Sequence, residues 1–147
     1  MTPALVLIII AIPSMKALYL MEDTKNVRFV VKTTGHQWYW RYEHNLMEDE
    51  EDSFIENRRT LRLLKCSRSL RIPTNLTTQI VVTSNDVIHS WTIPSIGVKT
   101  DAIPGRLNQI FLLPKRSGVF FGQCSEICGA NHSFMPIIVE SRPLKSI

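Results

Sequence analysis

The chain has 147 residues, 44% of them hydrophobic, and a formal net charge of +4 at neutral pH. That length supports one domain with a real hydrophobic core. Three cysteines cannot all pair within one chain, which argues against a secreted disulfide scaffold, and the basic block from Arg58 to Arg71 lacks a Gly-rich loop or interleaved aromatics, which argues against nucleic acid.

The first 21 residues, MTPALVLIIIAIPSMKALYLM, carry one charge, Lys16. As a helix they would span ~31 Å, about the thickness of a bilayer's hydrocarbon core. Lys16 lies near the far end, where a long side chain can reach the interface. A signal peptide is the alternative. No basic segment precedes the apolar run, and no clean small-x-small cleavage site follows it. Residues 1–24 are therefore expected to form a transmembrane helix, kinked at Pro13, with residues 25–147 as the soluble domain.

Strand signals follow. Val27 to Lys32 is β-rich, and His36 to Tyr42 puts Trp38, Trp40 and Tyr42 on one face by period two. Glu43 to Asn57 reads as an exposed loop holding the acidic block Glu48, Asp49, Glu50, Glu51, Asp52 and Glu56. Leu61–Leu64, Thr77–Thr83, His89–Ile93, Gln109–Leu113 and Gly118–Gly122 are short strand candidates, and Phe134 to Glu140 is the last. Pro73, Pro94, Pro104-Gly105 and Pro114 punctuate them as turns. Seven or so strands at this spacing point to an all-β, Greek-key sandwich or barrel.

The chemistry is concentrated in QCSEICGANHSFM, Gln123 to Met135, which gathers two of the three cysteines with a histidine and a methionine. A Cys124–Cys128 disulfide would leave His132 and Met135 without a role. Zinc prefers thiolate, imidazole and carboxylate over a thioether. A redox-active thiol pair usually has two intervening residues, not three. Thiolate, imidazole and thioether together suit copper. Two cysteines in one loop could bridge two metals, each then needing a histidine, and His89 is the best second candidate. Spacing alone leaves a dinuclear copper site beside a mononuclear copper or a zinc site, and His89 could equally be a core residue. Cys66, alone in an arginine-rich stretch, reads as a packed or idle thiol.

The stretches TTGHQWYWRYE, NDVIHSW, KTDAIPGRLNQ and GQCSEICGANHSFMPIIVE resemble subunit II of the respiratory cytochrome c oxidases. PALVLIIIAIPS and RTLRLLKCSRSLRIP resemble it too. The resemblance implies a membrane anchor followed by a cupredoxin-like barrel with a dinuclear copper centre, CuA. It implies that Cys124 and Cys128 bridge the coppers, that His89 and His132 are terminal ligands, and that Met135 is a weak axial ligand. The backbone carbonyl of Glu126 would complete the set, and its carboxylate would reach a magnesium ion shared with subunit I. Trp38 resembles the aromatic through which electrons enter from cytochrome c. The family carries two membrane helices before its barrel. The single helix here, equivalent to the second, implies either a fragment or a separate polypeptide supplying the first. Lys65, Cys66 and Ser67 stand where the family tends to be acidic, leaving Glu43, Asp86 and the Glu48–Glu56 block as candidates for docking a basic partner. The expected location is the mitochondrial inner membrane, or the cytoplasmic membrane of a bacterium. Other readings are a non-catalytic structural or copper-trafficking membrane protein, and a copper domain of a nitrous oxide reductase.

Overall fold

The computed structural model describes residues 2–22, 27–45, 50–56 and 61–146. Helix α1 (Thr2–Glu22) contains Pro13 and exposes its apolar side chains on every side. A run with no polar face cannot be a surface helix of a soluble domain, and Thr2–Met21 is long and apolar enough to cross a membrane.

Beyond α1, the described residues hold ten strands. They are β1 (Phe29–His36), β2 (Tyr39–His44), β3 (Glu50–Ser53), β4 (Leu70–Pro73), β5 (Thr78–Ser84), β6 (His89–Ile93), β7 (Val98–Ala102), β8 (Asn108–Leu112), β9 (Gly118–Gln123) and β10 (Pro136–Arg142). A five-stranded sheet runs β3-β2-β1-β5-β8, a three-stranded sheet runs β4-β10-β9, and β6 pairs with β7. Period-two alternation sends one face of each large sheet inward. Phe29, Val31, Trp40, Tyr42, Ile80, Val82 and Leu112 from the first sheet meet Leu70, Ile72, Ile137 and Val139 from the second. Trp91, Ile93 and Ala102 of the β6–β7 pair join the same core. The all-β expectation holds, with more strands than the sequence signalled.

Four local expectations are corrected. Leu61–Leu64 is a turn, not a strand: Leu61 and Leu63 have φ of 55° and 64°, and the Leu64 amide donates to the Leu61 carbonyl at 3.0 Å. The expected loop Glu43–Asn57 contains the end of β2 and all of β3, whose Glu50 and Asp52 face Arg41 across the ladder. Glu48, Asp49, Asn57, Arg58 and Arg59 lie outside the described residues. Pro73 ends β4 rather than marking only a turn. Trp38 precedes β2 in the β1–β2 turn, so it leaves the inward face that Trp40 and Tyr42 share.

Three connections converge at one end of the barrel. They are the β1–β2 turn with Gln37 and Trp38, the β5–β6 connection with Asp86, and the β9–β10 loop. The Asn85 amide donates to the Gly35 carbonyl at 3.1 Å, and the Ser125 amide donates to the Ser90 carbonyl at 3.0 Å. These bonds hold the connections against one another.

Candidate metal centre

The β9–β10 register pairs Gln123 with Pro136, so residues 124–135 form a closed loop on a rigid antiparallel base. The Cys124 amide donates to the Met135 carbonyl at 3.4 Å, drawing the loop's ends together. A short 3-10 turn, His132–Phe134, folds the loop back on itself. The sequence therefore places Cys124, Cys128, His132 and Met135 by local backbone geometry. His89 opens β6, and the tertiary fold brings it in.

The sulfurs of Cys124 and Cys128 lie 3.9 Å apart, both buried and both free. His89 Nδ1 is 4.0 Å from Cys124 Sγ. His132 Nδ1 and Met135 Sδ are each 3.5 Å from Cys128 Sγ. The Glu126 carbonyl oxygen lies 3.3 Å from Cys124 Sγ, while the Glu126 side chain is exposed. His89, Cys124 and Cys128 alone form a buried three-donor group with ligand atoms within 4.8 Å.

These spacings suit shared metal ligation. With metal–sulfur bonds of about 2.3 Å, two thiolates on one metal lie at most about 4.6 Å apart. With metal–nitrogen bonds of about 2.0 Å, a thiolate and an imidazole on one metal lie within about 4.3 Å. Every pair above meets that limit. His89 is hydrogen-bonded to Cys124, and the nearest sulfurs to His132 Nδ1 are those of the same thiolate pair.

The electrostatics agree. Burial, the largest influence, would raise the Cys124 pKa, but hydrogen bonds with His89, the Glu126 and Ser90 backbones and His132 together outweigh it and hold this thiol below the ordinary range. Cys128 is pushed up, by burial and then by the charge of Cys124 beside it. One thiolate thus opposes the other. Positive charge between them, such as a metal supplies, favours both being ionised together. At His89, burial works against protonation, and the hydrogen bonds to Cys124 and Asp86 more than offset it.

Around the donors, Gln37 Nε2 and Trp38 Nε1 both donate to the Cys128 carbonyl, at 2.8 and 3.3 Å. Trp38 is half-buried against the ligand loop. Gly129 sits beneath that indole with φ of +121°, and a β-carbon there would lie 3.1 Å from both Gln37 Nε2 and Trp38 Cζ2. Trp40 Nε1 donates to the Met135 carbonyl at 3.4 Å, and its ring packs edge-on to His89 at 5.9 Å. All six expected donor residues are brought together, and Trp38 lies against them. Sequence reasoning took Asp86 only as a surface charge; its carboxylate is bonded to His89 Nε2 at 2.8 Å. The three-residue spacing to His89 is the one signal in the sequence that could have found it. Cys66 stands apart from this cluster. It donates to the Pro136 carbonyl at 3.3 Å, and burial pushes its thiol up to about 11.

A β-sandwich that closes one end over two cysteines, two histidines and a methionine defines a cupredoxin-like metal-binding domain. The family described as cytochrome c oxidase subunit II, periplasmic domain, matches residues 29–142. The chain is 53% identical, over 97% of its length, to a cytochrome c oxidase subunit 2 from Lycodon semicarinatus, and it spans 65% of that relative. The crystal structure of the periplasmic domain of subunit II (CoxB) of Bradyrhizobium japonicum superposes with a TM-score of 0.80 at 40% identity, covering 83% of this chain and 89% of that one. A heme-copper terminal oxidase dimer contains a chain of the same fold, with a TM-score of 0.57 at 18% identity over 96% of this chain and 98% of that one. The chain belongs to the cytochrome c oxidase subunit II family.

Proposed function

We propose that the chain is the electron-accepting subunit of a cytochrome c oxidase, taking electrons from cytochrome c and passing them to the haem of subunit I. The observation that carries this reading is the convergence of His89, Cys124, Cys128, His132, Met135 and the Glu126 carbonyl on one buried point. Cys124 and Cys128 would bridge two coppers, His89 and His132 would terminate them, and Met135 and the Glu126 carbonyl would bind weakly. Such a centre, when bound, supplies a one-electron relay whose charge is spread over two metals and two sulfurs.

The protein's part is to hold those donors still. Buried sulfurs and a rigid β9–β10 base limit rearrangement between oxidation states, and exclusion of water favours electron transfer over substrate chemistry. Trp38, touching the Cys128 carbonyl and reaching the surface, is the entry point in this reading. The exposed Glu126 carboxylate would bind magnesium together with subunit I.

Residues 1–24 would anchor the chain in the mitochondrial inner membrane, with residues 25–147 in the intermembrane space. The apolar helix α1 needs lipid or other helices around it, so the subunit would pack against subunit I and against a further helix beside Leu5–Leu20. Metal analysis with electron paramagnetic resonance tests the central point. Two coppers per chain sharing one unpaired electron are expected, whereas a single localised copper, or zinc without copper, overturns the reading.

A further inference from the structure

Asp86 precedes β6 by three residues, in the connection from β5. Its carboxylate is about 30% exposed, yet both oxygens point inward to donors on three different segments. Oδ1 accepts from His89 Nε2 at 2.8 Å and from the Val87 amide at 2.6 Å, with the Ser84 hydroxyl at 3.4 Å. Oδ2 accepts from the Gln37 amide at 2.6 Å, across 49 residues of sequence. The Gln37 side chain in turn donates to the Cys128 carbonyl, and Trp38 next to it does the same.

Two consequences follow from this wiring. An ionised carboxylate can only accept, so Asp86 favours a proton on His89 Nε2 and leaves Nδ1, the nitrogen facing Cys124, as the one available to a metal. The β1–β2 turn is fixed through the other oxygen, so Trp38 and the ligand loop share one register with His89. A carboxylate serving only its own turn would need Ser84 and Val87 alone. The bonds to His89 and Gln37 reach outside that turn, one to each side of the centre.

We propose that Asp86 is the positioning residue of the copper centre: it sets the ring face that His89 offers to the metal and ties the Trp38 turn to that ligand. The inference rests on the copper reading above. A carboxylate bonded to a ligand imidazole makes it a stronger donor and favours the more positively charged, oxidised state of the metal. Its removal therefore raises the reduction potential.

The test is a redox titration and a paramagnetic resonance spectrum of the assembled oxidase carrying Asp86→Asn, which keeps the shape and removes the charge. The expected result is full copper content, an upward shift in potential and altered histidine hyperfine coupling, with Asp86→Glu returning the potential toward that of the unchanged protein. An unaltered potential and spectrum in a copper-loaded Asp86→Asn oxidase overturns the proposal. Nitrogen-15 resonance of His89 in the metal-free, unsubstituted full chain is a second arm, independent of whether the variant folds. Protonation at Nε2 supports the proposal, and protonation at Nδ1 overturns it. If the unsubstituted protein takes up no copper, the copper reading falls, and the nitrogen resonance alone still decides the Asp86–His89 pairing.

Discussion

The backbone of Gly35 lies directly under the imidazole of His89. A β-carbon at position 35 would sit 2.8 Å from ring Cδ2 and 3.1 Å from Cγ, with Trp40 Cζ3 at 3.2 Å on the other side. With His89 fully buried and bonded at Nε2, the ring has no free direction in which to yield. Gly35→Ala is therefore expected to cost about 1–3 kcal/mol, the usual penalty of overpacking a core. It should also displace His89, one of the proposed copper ligands. Thermal unfolding together with the copper resonance spectrum reads both effects; an alanine variant with unchanged spectrum and melting would show that the ring moves freely.

Trp38→Ala tests the proposed electron-entry role separately from the proposed metal binding. The indole gives the Cys128 carbonyl one hydrogen bond at 3.3 Å, and Gln37 gives the same oxygen a shorter one at 2.8 Å. Loss of the indole leaves that carbonyl satisfied. Copper content and spectrum should persist while electron transfer from reduced cytochrome c slows at least tenfold in stopped-flow measurements. Copper loss at an unchanged transfer rate per loaded centre would make Trp38 a packing residue only.

Surface charge is expected to matter less at Glu43 than the sequence implied. Glu43 accepts from Lys32 Nζ at 2.8 Å, and Glu50 and Asp52 both face Arg41. The Lys32–Glu43 pair is close to neutral from a partner's distance, whereas Arg41 offsets only one of the two carboxylates it faces. Glu43→Gln should change the association rate of a basic partner by less than about twofold at low salt, with the remainder screened as salt rises. Ile127, 79% exposed, and the exposed Val87, Ile88 and Phe134 border the ligand loop and nearby turns, offering apolar contact instead. Ile127→Asp should weaken docking more than Glu43→Gln does, as read by steady-state kinetics with cytochrome c.

His44 gives the fold an acid-sensitive element. Burial holds its pKa below the ordinary 6.5. As pH falls, the unfolded chain takes up this proton before the folded one does. The associated stability is complete above about pH 6.5 and is lost progressively as pH falls toward the folded pKa, at up to about 1.4 kcal/mol per pH unit. His36 is lowered in the same direction, by burial and then by Arg41. Urea unfolding at pH 7.5 and 5.5 should show this decline, and His44→Gln should lessen it. Comparing that variant with the parent isolates His44 from His89, whose hydrogen bonds to Cys124 and Asp86 outweigh burial and act in the opposite sense.

Strand β6 was legible because HSWTI is a buried run with a proline directly after it, and all five residues are buried. Strand β3 was not, because Glu50–Ser53 reads as a solvated acidic segment until Arg41 is found across the ladder. Leu61–Leu64 misled in the opposite way: apolar spacing suggested a strand, while two left-handed backbone positions make a turn. Strand β7, VKTDA, carries too little apolar character to show itself without β6 as partner. At the site, the loop donors could be read from spacing because the chain supplies them contiguously. The contacts of Gly35 and Gln37 with the centre join residues 49 to 91 positions apart, and no local pattern announces them.

The free thiols of Cys124 and Cys128 stand 3.9 Å apart within an already folded end of the barrel. Closing that gap to the ~2.05 Å of a disulfide would remove both thiolate donors in one two-electron oxidation. Under the proposed function, two thiols this close are exposed to oxidation whenever they are not holding metal, and a thiol reductant is what returns them to service.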